Sequence, residues 1–250
     1  MFIDTHCHIS YKDYEDIDLL IKENVAAGVD KIIVSGCESD NMEEVVDLSL
    51  KYKEIYLTLG YHPEYADIID EADIQRLERL LISNNKVVGV GEIGLDYHYS
   101  KENKDRQIEL FKCQLDLAKK LNLPVVIHSR DATLDTINIL GEYDISGVIH
   151  CFSGSLEVAK TYISMGYKLG IGGVITFKNS KLGDVVSALE LGDIVLETDS
   201  PYLAPTPYRG TVNSSKYVPI IASKVAEVFD VDVDIVADVT TKNALDVFGL

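Results

Sequence analysis

The sequence predicts an α/β fold, a (β/α)8 TIM barrel, and three observations carry that expectation. Eight short runs rich in β-branched residues alternate with longer amphipathic stretches. The 250 residues give each of eight units about 31 residues, the size of one barrel domain spanning 1–250. Five of the six histidines close a predicted strand, the end at which such barrels build their working face.

The predicted strands are Phe2–Ile9, Lys31–Gly36, Ile55–His62, Val87–Glu92, Pro124–His128, Gly147–His150, Tyr167–Gly172 and Ile194–Asp199. Several are almost continuously apolar, as parallel strands covered on both faces are. The stretches between them carry helical signals. Ile17, Leu20, Ile21 and Val25 mark one face, with Asp16 as N-cap and Gly28 just past the end. Asp40 followed by Glu43 suggests a capping box. Asp73 is placed to cap a helix bearing Ile74, Leu77 and Leu81. The longest helix is expected over 104–121, with Ile108, Phe111, Leu115 and Ala118 in phase. Later helices carry Leu134, Ile137 and Leu140, then Leu156, Ala159 and Ile163, then Leu182, Val185, Val186 and Leu189. The segment Pro201–Pro219 holds four prolines and reads as a loop before a helical region, Ile220–Leu250. An open doubly wound sheet is the rival architecture. It would show a glycine-rich phosphate fingerprint after the first strand, where this chain has His6-Cys7-His8.

Composition narrows the function. No apolar run reaches the roughly 20 residues that span a bilayer. The N-terminus lacks a basic, signal-like start, so the expected compartment is cytoplasmic, with no membrane partner. The four cysteines stand apart with no CxxC pair, which argues against a disulfide framework. A net charge of −18 excludes binding of nucleic acid through a broad basic surface. It leaves room for a small pocket whose positive charge comes from divalent ions.

His6 and His8 lie two apart on a strand and therefore face the same way, as metal ligands can. Glu92 stands in Val90-Gly91-Glu92-Ile93-Gly94, where the glycines allow close approach of backbone and ligand; its two oxygens can bridge two cations. His128 and His150 end neighbouring apolar strands and can supply nitrogens to a second ion. Asp199 ends the eighth strand, and barrel closure brings it near His6 and His8, able to ligate an ion and take a proton from water. Glu197 shares its strand face and can orient a ligand or be a buried structural carboxylate. His62 is expected to contact substrate or donate a proton rather than ligate. Arg130 and Arg209 follow the fifth and eighth strands and can bind a phosphate. His98 reads as a solvated loop residue, and Cys7 and Cys151 as buried core thiols. The metal set is thus His6, His8, Glu92, His128, His150 and Asp199, and the catalytic set Asp199, Glu92 and His62. Mixed imidazole and carboxylate donors accept Zn, Mn, Ni, Co or Mg.

Together Asp4-Thr5-His6-Cys7-His8, Gly91-Glu92-Ile93-Gly94-Leu95-Asp96-Tyr97, Pro124-Val125-Val126-Ile127-His128-Ser129-Arg130, His150-Cys151-Phe152-Ser153-Gly154 and Leu196-Glu197-Thr198-Asp199-Ser200-Pro201-Tyr202-Leu203-Ala204-Pro205 resemble the TatD family of metal-dependent deoxyribonucleases. The resemblance implies a barrel with two divalent ions. It places His6, His8 and Asp199 on one ion, His128 and His150 on the other, and Glu92 between them. It also implies phosphodiester hydrolysis, with single-stranded or damaged DNA trimmed from 3′ ends by a monomer or weak oligomer. One departure stands out: Ser214-Ser215 follow Arg209-Gly210-Thr211-Val212-Asn213 where the family usually has a proline. Two other readings stay open. One is an amidase, lactonase or phosphotriesterase acting on a small molecule, since one fold serves many reactions. The other is a metal-binding partner protein without turnover.

Overall fold

A computed structural model describes residues 1–38, 41–98 and 102–250. Eight strands, β1 Phe2–Cys7, β2 Val29–Gly36, β3 Ile55–Leu59, β4 Val87–Asp96, β5 Val125–Arg130, β6 Gly147–Ile149, β7 Tyr167–Ile171 and β8 Ile194–Leu196, form one sheet in chain order. Each neighbour pair from β1–β2 to β7–β8 runs parallel. The sheet comes round on itself beyond the ends of β1 and β8. Asp199 N–H donates to the His6 carbonyl (3.0 Å), and His8 N–H to the Ser200 carbonyl (2.7 Å). The buried Asp4 carboxylate reinforces this seam, accepting from Thr198 Oγ1 (2.6 Å) and Thr198 N (3.0 Å). The fold is the expected (β/α)8 barrel.

Helices α1 Ile17–Ala26, α2 Met42–Lys51, α3 Glu71–Ser83, α4 Lys104–Leu121, α5 Thr133–Leu140, α6 Leu156–Ser164 and α7 Leu182–Val186 alternate with the strands. The chain ends in α8 Val218–Phe229 and α9 Val233–Phe248. Asp16 caps α1 through Leu19 N–H (2.8 Å), and Gly28 follows the C-cap with φ +85°. Val25 is 40% exposed, however, and Asn24 takes the buried position. The reason is a specific partner: Asn24 Oδ1 accepts from Ser214 Oγ (2.9 Å) and Lys216 N (2.8 Å). The Ser214-Ser215 departure is thereby accommodated as a hydrogen-bonded turn against α1.

Other expectations shift by a residue or a turn. The N-cap of α3 is Asp70, and Asp73 is its capping-box partner one turn in. Asp40 lies outside the described residues; Asn41 precedes α2 without a side-chain cap, and Glu43 pairs with Arg76 of α3. Leu134 is 72% exposed and Ile137 half-buried; α5 buries Leu140, as expected, together with Thr136 and Ile139. Leu189 falls beyond the end of α7. Pro219 belongs to the first turn of α8, where its missing N–H costs nothing, so the irregular segment ends earlier than expected.

Two features of packing matter for the site. At the N-terminal end of the barrel, Ile3, Ile33, Val88, Val126, Val148 and Val195 cluster with Ala244 and Phe248 of α9. That end is closed by apolar side chains, and the opposite rim carries the polar groups. On α4, Gln107 and Gln114 lie two turns apart on one face, both buried. Gln107 accepts from Asp96 N (2.9 Å) and donates to Asp96 O (2.8 Å). Gln114 does the same for Tyr61 N (2.6 Å) and Tyr61 O (3.0 Å). One helix thus holds the backbone beside His62 and the end of β4.

Candidate metal centre

The strands deliver the site residues to one rim, though several sit just past their strands. The sequence predicts strands that run to Ile9, His62, His150 and Asp199, whereas the ladders stop at Cys7, Leu59, Ile149 and Leu196, leaving His8, His62, His150 and Asp199 just beyond them. Strand β4 is longer than expected, reaching Asp96. The glycines of β4 act differently from their anticipated role. A Cβ on Gly91 would meet Val126, and one on Gly94 (φ +149°) would collide with the His128 carbonyl. They allow β4 to approach β5 rather than a ligand.

Glu92 is the hub. Its Oε2 lies 3.4 Å from His6 Nε2 and 3.7 Å from His8 Nε2. Its Oε1 lies 2.7 Å from His128 Nδ1 and 3.1 Å from His150 Nε2. One carboxylate oxygen therefore faces each histidine pair. Asp199 Oδ1 completes the first side, 3.6 Å from His8 Nε2 and 3.8 Å from His6 Nε2. Asp199 is held there with φ +55°, in the left-handed region. Its N–H bond to the His6 carbonyl fixes the turn.

The donor set suits cations. His6 Nε2 and His8 Nε2 are 3.2 Å apart. Two imidazole nitrogens bound to one tetrahedral ion at about 2.0–2.1 Å would be separated by about 3.3–3.4 Å. Groups whose ligand atoms converge in this way are His6–His8–Glu92, His6–His150–Asp199, Glu92–His128–His150 and His62–Asp96–His128. The electrostatics favour ionised carboxylates in the centre. Burial opposes ionisation of Glu92, but His150, His6 and His128 outweigh it and hold the carboxyl well below its ordinary range. Burial likewise opposes ionisation of Asp199, yet its hydrogen bond with His8 and the nearby His150 and His6 keep it low. Burial pushes His6 toward the neutral imidazole, the form with a free lone pair.

Outward-facing nitrogens have their own neighbours. His8 Nδ1 faces Cys37 Sγ at 3.9 Å. His150 Nδ1 lies 3.4 Å from Glu197 Oε1, which also accepts from Cys151 N–H (2.6 Å). His128 Nε2 lies 3.0 Å from Asp96 Oδ2. Asp96 and Cys37 were given no role from sequence. For Asp96 a signal was available: it shares the strand face of Glu92 by period two. Cys37, just past β2, carried none.

The remaining expected residues lie farther out. His62 Nε2 is 3.9 Å from Glu92 Oε1, its ring centroid is 4.5 Å from that of His128, and its Nδ1 faces Glu64 at 3.3 Å. Arg130 is exposed at the end of β5. Arg209 lays its guanidinium over the Phe177 ring, 3.8 Å from the centroid, and donates to the Ala204 carbonyl (3.3 Å). His98 is exposed as expected, but it pairs with Asp131 at 2.9 Å. Cys7 is fully buried; Cys151, in the left-handed region at φ 47°, is only partly so, which corrects its assignment to the core.

The sequence profile of TatD-related DNases matches residues 3–249. The chain belongs to this family. Among TatD relatives, the metal-dependent hydrolase YabD of Bacillus subtilis strain 168 is 38% identical over 255 residues, with both chains covered in full. The metal-dependent hydrolase MJ1582 of Methanocaldococcus jannaschii is 35% identical, covering 99% of this chain and 96% of its own. The crystal structure of YjjV, a TatD homologue from Escherichia coli K12, superposes with a TM-score of 0.93 at 34% identity, covering 100% of this chain and 98% of that one. As a member of the TatD family, the chain stands among metal-dependent hydrolases, with groups of His, Glu and Asp that could hold metal. Among its described residues no helix is long and apolar enough to cross a membrane.

Proposed function

We propose that this protein hydrolyses phosphodiester bonds with two divalent ions, trimming DNA from 3′ ends in the cytoplasm. The observation that carries the reading is the two-sided environment of Glu92, with His6 and His8 at Oε2 and His128 and His150 at Oε1. His6, His8 and Asp199 would hold one ion, His128 and His150 the other, and Glu92 both. When bound, two divalent ions supply Lewis acidity that activates water and offsets the charge of the phosphate. Asp199, ionised and aimed at the histidine pair, accepts a proton from the attacking water. His62 stands at the rim with Nε2 toward Glu92, where it contacts the phosphate or protonates the leaving oxygen. Arg130 at the exposed end of β5 and Arg209 on the loop after β8 would contact more distant phosphates.

The family supports a nucleic-acid substrate, and the net charge of −18 fits one gripped at a pocket rather than along a basic surface. The test joins elemental analysis of the purified protein to cleavage of 3′-labelled and 5′-labelled single-stranded DNA with Zn, Mn, Mg, Ni or Co added back. Two ions per chain, early release of the 3′ label and stepwise shortening of the 5′-labelled strand are expected. Hydrolysis of cyclic amides, lactones or phosphotriesters with intact DNA would replace this reading with a small-molecule one.

A further inference from the structure

The role of Asp96 follows from the reading of His128 as a metal ligand. A neutral imidazole carries one lone pair and one N–H. The His128 ring is addressed at both nitrogens: Nδ1 lies 2.7 Å from Glu92 Oε1, and Nε2 lies 3.0 Å from Asp96 Oδ2. Glu92 Oε1 also faces His150, so Nδ1 is the nitrogen that looks into the candidate centre. If Nδ1 gives its lone pair to a cation, Nε2 keeps the proton and needs an acceptor. Asp96 is that acceptor. We propose that Asp96 is a positioning residue that takes the Nε2–H of His128 and fixes the tautomer presenting Nδ1 to the metal.

The surroundings of Asp96 fit this role. It is buried at the last residue of β4. Its second oxygen, Oδ1, accepts from His98 N–H at 2.8 Å, and the Gln107 amide grips its backbone on both sides. The carboxylate is thus fixed through one oxygen, and the residue's backbone through both its N–H and its carbonyl, before the other oxygen meets the ring. His62, Asp96 and His128 also converge closely enough to suggest a third cation. That alternative would take His128 Nε2 as a ligand while Nδ1 serves the centre, which requires the ring to lose both protons. An orienting carboxylate needs only the ordinary neutral imidazole.

The experiment uses the full chain, stripped of metal and titrated with Zn(II) against a chromophoric chelator. Wild type is compared with His128→Ala, Asp96→Ala and Asp96→Asn. His128→Ala should lose one ion; if it keeps both at wild-type affinity, the ligand reading fails and the proposal with it. Asp96→Ala should still bind two ions at saturation, with the weaker one released about 10–100-fold more readily. Asp96→Asn, whose amide oxygen accepts the same N–H, should recover most of that loss. Unchanged affinity in Asp96→Ala overturns the positioning role while leaving His128 a ligand. Three ions in wild type and two in Asp96→Ala would make Asp96 a ligand instead. Should Asp96→Ala not fold, ¹⁵N spectra of histidine-labelled, zinc-loaded wild type decide: a His128 proton on Nε2 supports the proposal, and one on Nδ1 overturns it.

Discussion

At the scale of single residues, Glu92 and Asp199 sit close together yet should fail in different ways when changed. Glu92 has an oxygen toward each histidine pair. Glu92→Ala is expected to bind no more than one ion per chain, measured by elemental analysis after gel filtration; two retained ions would remove it as the bridge. Asp199 has its ion-pair contacts with His6 and His8. Asp199→Asn should keep the fold and much of the metal but slow turnover by about 10²–10⁴-fold, the usual worth of a positioned proton acceptor. Near-normal rates on labelled DNA would take Asp199 out of the proton path. Both residues stood out in the sequence, Glu92 because a carboxylate in an otherwise apolar strand has few other reasons to be there, and Asp199 because closure of the barrel sets the end of the eighth strand beside the first. Asp96 was not assigned: its partner His128 is 32 positions away, and only the β4–β5 register brings them together.

At the scale of elements, the strand order and the α4 boundaries could be read from periodicity, while caps and stripe edges could not. Period places a residue on a helix to within about one position. Whether Asn24 or Val25 turns inward depends on Ser214, and whether Asp70 or Asp73 caps α3 depends on local turn geometry. The glutamines of α4 were invisible for the same reason, since each satisfies backbone groups on another element. Gln107→Leu should leave the Asp96 N–H and carbonyl buried without partners, costing about 1–3 kcal/mol per lost group. Urea unfolding followed by circular dichroism measures this. A cost near zero would mean that water replaces the amide.

At the scale of the whole molecule, the barrel divides its labour between its ends. The apolar cluster under α9 sits away from the candidate centre, at the face where barrels place stability rather than chemistry. Phe248→Ala should cost about 3–5 kcal/mol of stability, as large aromatic truncations do. Its zinc stoichiometry at low temperature should match wild type; loss of metal in a folded variant would contradict the division. The seam between β1 and β8 is the other global feature, and sequence implied it only through the expected closure of eight strands. Its details, with the buried Asp4 carboxylate accepting two bonds from Thr198, join residues 194 positions apart.

The paired glutamines also tie the motions of the rim together. Because Gln107 and Gln114 ride on one stiff rod, the amides of Asp96 and Tyr61 cannot be freed independently without breaking α4 or rotating a buried side chain. Hydrogen–deuterium exchange should therefore find these two amides opening as one cooperative unit, at the same rate and with the same denaturant dependence. Breathing of the mouth beside His62 would then be coupled to the strand end beneath His128, so that the two flanks of the pocket loosen in concert.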